Sequence, residues 1–144
     1  MSTPTSWFYW ALFSALFAAL TAIFAKVGIQ GVDSDFATLV RTAIVIILLS
    51  AFVGFTGKWS NPLALAPRTW LFLGLSGIAT GASWVCYFRA LQVGDASKVA
   101  PVDKLSLALV AVFAVAFLGE RPTGREWLGI LMVVAGVVVL AFKR

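Results

Sequence analysis

Apolar and polar positions along this chain alternate by whole segments rather than by single residues. Five runs are almost wholly apolar: about Trp7 to Ala25, Phe36 to Phe55, Trp70 to Leu91, Val99 to Leu118 and Trp127 to Phe142. Each is about 20 residues long, enough to cross ~30 Å of hydrocarbon as a helix rising 1.5 Å per residue. Lipid offers the backbone no hydrogen-bonding partners, so runs of this length must be helices, whose amides pair internally. The pattern therefore predicts an all-α membrane protein, a bundle of five transmembrane helices forming one domain over residues 1–144.

The polar stretches between the runs carry helix stop and start signals. Gly28 and Gly31 precede Asp33-Ser34-Asp35, any of which can cap the second helix. Gly57, Asn61-Pro62 and Ala66-Pro67 mark the second loop, and Gly94 with Asp95 the third. Thr123 and Glu126 have the spacing of a capping box, which predicts the start of the fifth helix there. No Lys or Arg precedes the first run, and that run is too long for a signal peptide, so it is expected to persist as a span.

Composition strengthens this picture. The 144 residues are 61% hydrophobic and 12% charged, about half the charge that a water-facing surface of this size carries. The net charge of +5 comes from basic residues scattered singly between the runs. Such scatter marks headgroup contacts rather than a phosphate-binding stripe, so no nucleic-acid partner is expected. Histidine is absent and no acids or cysteines have metal-ligand spacing. Neither a nucleophile–base pair nor a metal or cofactor site is visible, and enzyme function is not expected. The single cysteine, Cys86, lies inside an apolar run and reads as a small apolar core residue.

Small residues recur at helical spacing: Ala11, Ala15, Ala18, Ala22 and Ala25 in the first run, Gly74, Gly77 and Gly81 in the third, Gly129 and Gly136 in the fifth. Stripes of this kind let helices approach closely in lipid, first of all within one chain, and otherwise between subunits. Trp7, Trp10, Trp59, Trp70 and Trp127 fall toward one end of the spans, as an interfacial belt would, whereas Trp84 lies inside the third, with Tyr87 and Phe88 one turn on. Lys58, Arg68, Arg121 and Arg125 lie on the side of the N-terminus. Lys26, Lys98, Lys143 and Arg144 lie on the other, joined by Arg89 where its side chain snorkels outward. So small a bias does not select an orientation and is compatible with an antiparallel homodimer.

Chemistry concentrates in a few charges within the spans. Asp103 stands about 9 Å inward from Ser97, and Arg41 at a similar depth from Ser34. A lone charge at such depth costs several kcal/mol, so these residues either pair or face water. One reading is an Arg41–Asp103 ion pair clipping two helices while Lys104 snorkels out. The other is a polar substrate or proton site lined by Arg41, Asp103, Lys104, Ser106 and the rings of Trp84 and Tyr87. Neighbours on a helix point about 100° apart, so Asp103 and Lys104 are not expected to share a direction. Pro101 is expected to loosen the first turns of its helix.

The block from Tyr87 to Leu140 resembles the second half of an EamA domain of the drug/metabolite transporter superfamily. The resemblance rests on Ala90-Leu91 followed by Gly94-x-Ala96-Ser97, on Ala100-Pro101, on Leu118-Gly119-Glu120-Arg121, and on the Gly129…Ala135-Gly136 spacing. Lys26 closing the first span and Arg41 in the second fit as well. Most such proteins carry two domains of five spans, the second inverted. One domain here implies two copies, antiparallel if they are to reproduce that arrangement. Small multidrug resistance relatives rely on a glutamate in their first span, and this first span has no acid. The resemblance implies an inner-membrane, multi-pass transporter of small polar metabolites or drugs, a dimer working by alternating access. Arg41 and Lys104 would favour an anionic or zwitterionic solute and Asp103 would carry a proton. The alternative it implies is an auxiliary subunit of a heteromeric complex such as a lipid-linked sugar flippase.

Overall fold

The computed structural model describes residues 6–142; Lys143 and Arg144, counted above among the headgroup charges, lie outside them. The elements are α1 (Ser6–Gly28), α2 (Ser34–Phe55), a 3₁₀ turn (Pro62–Ala64), α3 (Pro67–Val93), α4 (Ala96–Asp103), α5 (Ser106–Phe113), a π-helical turn (Ala114–Leu118) and α6 (Gly124–Ala141), with no strand among the described residues. With α4, α5 and the π turn taken together as Ala96–Leu118, five helical segments are long and apolar enough to span a bilayer. Large apolar side chains point outward, Ile47 being 69% exposed and Phe55 91%, a distribution suited to lipid and ruinous in water. Cys86 is among the exposed residues, which corrects its reading as a core residue. An apolar neighbourhood in sequence does not distinguish the core from lipid.

Backbone contacts divide the chain into two compact units, one from Ile23 to Val93 and the other joining the chain up to Ala22 with that from Gly94 onward. In the first, α2 packs along α3. Beyond Gly28 the chain turns through Gly31, whose φ of +74° is left-handed and suits glycine. Asp33, of the three candidate caps, accepts from the amides of Asp35 and Phe36, both at 3.0 Å, which frees Asp35 for another role. Asn61 caps the 3₁₀ turn through the Leu63 amide at 3.0 Å. The Trp70 indole donates to the Pro62 carbonyl at 3.0 Å, pinning that turn to α3. Pro67 opens α3 where a missing N–H is harmless. With 27 residues, α3 is about 40 Å long and must tilt or overhang the hydrocarbon; its last turns, with Arg89 and Gln92, thereby have room to reach polar surroundings.

In the second unit α4 and α5 each pack against α6. The span they belong to is not one regular helix. Lys104 and Leu105 form a turn between α4 and α5, and the amides of Lys104, Leu105, Leu107 and Ala108 bond three residues back, at 3.0–3.1 Å. Pro101 withholds a donor from the Ser97 carbonyl, and the tightening begins three residues after it. Past α5 the chain widens into the π turn and stops at Gly119, left-handed at φ +68°. The expected capping box opens α6: the Thr123 amide donates to Glu126 Oε2 at 2.6 Å and the Glu126 amide to Thr123 Oγ1 at 3.4 Å. Thr123→Ala should lower the unfolding midpoint in detergent by a few degrees without altering the helix content seen by circular dichroism.

Among the described residues of each unit, the glycine stripes have no close neighbour of their own unit against them. A Cβ built on Gly74, Gly77, Gly81, Gly129 or Gly136 would meet nothing within 4 Å. Glycine spacing in a sequence marks a smooth surface without saying what lies against it.

Candidate functional site

The α2–α3 pair encloses an open groove of about 570 Å³. On α2 its wall is Asp35, Thr38, Leu39 and Thr42, spaced i, i+3, i+4 and i+7, so one helical face supplies them all. On α3 Ser76, Gly77, Thr80, Gly81 and Trp84 line it by the same periodicity. Gly77 and Gly81 thus help form a cavity wall. The hydroxyls obey the rule that a polar group in lipid finds a partner: Thr38 Oγ1 donates to the Ser34 carbonyl at 2.8 Å, Thr42 Oγ1 to that of Thr38 at 2.7 Å, and Thr80 Oγ1 to that of Ser76 at 2.8 Å. Each oxygen keeps lone pairs able to accept a further bond. None of these threonines or serines stood out in the sequence; the signal was their four-residue spacing, Ser34-Thr38-Thr42 and Ser76-Thr80.

Arg41 was read from the sequence as an intramembrane charge, and α3 supplies what it lies against. Its guanidinium carbon sits 4.4 Å from the centroid of Trp84 and 5.4 Å from that of Phe88. Two aromatic faces stabilise the cation through their quadrupoles while its N–H edge stays available for an anionic group. Phe88 is buried and meets Tyr87 edge-on, the ring centroids 6.5 Å apart. Three of the sequence-derived candidates, Arg41, Trp84 and Tyr87, therefore belong to one neighbourhood, and Trp84 joins it to the groove.

At the same end of α2 and α3 stands a polar cluster that sequence reasoning missed. Arg89 grips Asp35 with two bonds, Nε to Oδ1 at 2.8 Å and Nη2 to Oδ2 at 2.6 Å. Beside it Lys26 Nζ donates to the Leu91 carbonyl at 2.6 Å and Gln92 Nε2 to that of Val32 at 3.1 Å. Arg89 does not simply snorkel outward, then; it ties the end of α3 to the start of α2. Leu91, fully buried, and Ile29, 3% exposed, lie under these ties.

The remaining candidates belong to the other unit. Asp103 ends α4, Lys104 begins the break and Ser106 starts α5, so all three sit where the span loses its regular hydrogen bonding. Lys104 Nζ approaches Asp103 Oδ2 at 3.4 Å, contrary to the expected divergence: the four-carbon lysine stem bends back across the turn. Irregular backbone at membrane depth occurs where protein or water covers it, and short 3₁₀ and π segments within a span are common at functional positions.

Five apolar spans, a groove bearing a few hydroxyls and a broken helix with a charge pair at its break describe a polytopic membrane protein. The family model for EamA-like transporters matches residues 5–142, and the chain belongs to that family. It is similar to an uncharacterized transporter in the cobO 3' region of a Sinorhizobium species, 57% identical over 136 residues, covering 94% of this chain and 96% of that one. Transporter YxxF of Bacillus subtilis is 29% identical over 94% of this chain, which spans only 42% of that protein's length. A probable 4-amino-4-deoxy-L-arabinose-phosphoundecaprenol flippase subunit of Salmonella newport, ArnE, is 27% identical over 67% of this chain and 94% of its own length. No solved structure matches. The protein is accordingly a multi-pass membrane transporter of the EamA type.

Proposed function

We propose that the chain is one EamA-like domain over residues 1–144, a half-transporter that moves a small polar metabolite or drug across the inner membrane as a dimer by alternating access. It has no catalytic role in this reading. The observation that carries it is the α2–α3 groove, a mainly apolar cleft of about 570 Å³ with Asp35 and the hydroxyls of Thr38, Thr42, Ser76 and Thr80 along it, in a chain of transporter family. Arg41, held on Trp84 and flanked through Phe88 by Tyr87, binds the anionic part of an anionic or zwitterionic solute. Asp103 carries a proton at the break in the fourth span, with Lys104 and Ser106 beside it. The glycine stripes, open within their own units, would suit a homodimer contact, and the near-even sharing of basic residues supports an antiparallel one.

A second reading, an auxiliary subunit of a heteromeric flippase for a lipid-linked sugar, is favoured by the similarity to ArnE along 94% of that relative. Purified protein in liposomes separates the two. Uptake measured across amino acids, amines, sugars and organic acids should show saturable transport of at least one solute, absent from empty liposomes. Flipping of a fluorescent lipid-linked sugar only after a second subunit is added, with no solute transported, would decide for the flippase reading.

A further inference from the structure

The groove wall is mainly apolar, through Leu39, Leu73, Val85 and Trp84, and its few polar groups are mostly acceptors. Thr38, Thr42 and Thr80 have committed their hydroxyl hydrogens to carbonyls of their own helices, so what they can offer a ligand is lone pairs. Among the described residues lining the groove, Asp35 is the one that carries a charge. A few oxygen acceptors and one carboxylate in an otherwise apolar wall complement a ligand that brings N–H donors and a positive charge. Arg89 meets that description and now occupies Asp35 with a bidentate grip. Yet the two side chains are 62% and 46% exposed, and exposed ion pairs hold weakly enough to exchange.

We propose that Asp35 is the amine-recognition residue of the groove: a primary ammonium group, alone or as part of a zwitterion, takes the carboxylate over from Arg89. The inference rests on the transport reading and narrows its substrate class. Binding then loosens the tie from α2 to the end of α3, leaving that end bonded to Lys26 of α1 and, through Gln92, to Val32 in the loop before α2, so occupancy of the groove and the fastening of α3 are coupled. A quaternary ammonium, charged but without N–H, should not substitute, because neither the hydroxyl lone pairs nor the carboxylate would receive hydrogen bonds.

The test uses the protein in lipid nanodiscs, with the threonine methyl signals of Thr38, Thr42 and Thr80 followed by NMR against ethanolamine, ethylene glycol and tetramethylammonium. Ethanolamine should give saturable shifts at the groove threonines and release the Arg89 Nε–H signal, and the other two probes should not. Asp35→Asn should weaken ethanolamine binding by about tenfold or more. Arg89→Gln removes the competitor and should tighten it roughly three- to sixfold, the fraction of time an exposed pair is closed setting the gain. Equal weakening in both variants, or ethanolamine shifts no larger than those of ethylene glycol, would overturn the proposal, since a purely structural clip suffers from loss of either end. Uptake on the same samples separates the two layers. Transport that persists in Asp35→Asn and ignores ethanolamine overturns the amine site alone. Specific ethanolamine binding without transport of any solute supports the site while removing the transport reading.

Discussion

Arg41→Ala is expected to reduce solute uptake in proteoliposomes by about a hundredfold, while Arg41→Lys recovers only part of the loss. The alanine variant removes the one cation stacked on Trp84 and Phe88, 4.4 Å and 5.4 Å from their centroids, and with it the charge-assisted bonds to an anionic group. Two such bonds, at about 1.5 kcal/mol each, account for that factor. Lysine restores the charge but not the planar fork, and it lies less well on an aromatic face. The kinetic signature separates binding from structure: if Arg41 holds the solute, KM rises more than the maximal rate falls. If Arg41 merely packs α2 on α3, Arg41→Met should retain uptake near the wild-type level, and that result would remove Arg41 from the site.

Asp103→Asn should abolish uptake driven by a proton gradient, to the level of empty liposomes, with the unfolding midpoint shifted by no more than a few degrees. The small structural cost follows from geometry: the contact with Lys104 is long, 3.4 Å, and both side chains are partly exposed, so it stabilises the fold by no more than about 1 kcal/mol. The functional cost follows from chemistry, because asparagine is isosteric but cannot carry a proton. Solute exchange without a gradient should persist in this variant. Gradient-driven uptake equal to wild type would exclude Asp103 as the proton carrier.

Much of this architecture was legible from the residues. Runs of about 20 apolar residues give spans because length and hydrogen bonding leave no other option in lipid. Helix starts fell up to three residues earlier than the apolar pattern suggested, at Ser34, Pro67, Ala96 and Gly124. The first turn of a helix can be polar, and it is hydrogen bonding, not apolarity, that opens a helix. Thr123 and Glu126 were recognisable because a capping box is local. Asp35 and Arg89 were not, because their partnership crosses 54 residues, and each had a plausible local task, capping for one and snorkelling for the other. Pro101 announced disturbance in the fourth span without saying where the turn would fall. It fell at Lys104 and Leu105, which places Asp103 and Lys104 at the break rather than on an unbroken helix face. Cys86 was misjudged, and Gly77 and Gly81 gained a place in a groove wall, for a common reason: small or apolar residues in a span suit packing, lipid and cavity walls alike.

The most direct measurement is water access at the depth of the groove. Thr42 lies eight residues into α2 from Ser34, about 12 Å along the axis, and it lines the groove with Thr80. Ile47, on α2 but turned away and 69% exposed, is the control. With Cys86 replaced by alanine, single cysteines at Thr42, Thr80 and Ile47 are treated in membranes with a membrane-impermeant maleimide. A solute pathway between α2 and α3 predicts labelling at Thr42 and Thr80 and none at Ile47. Labelling of Ile47 alone, or of none of the three while a loop cysteine at Ser60 reacts fully, would mean that the groove is closed to water and is not a path for a polar solute.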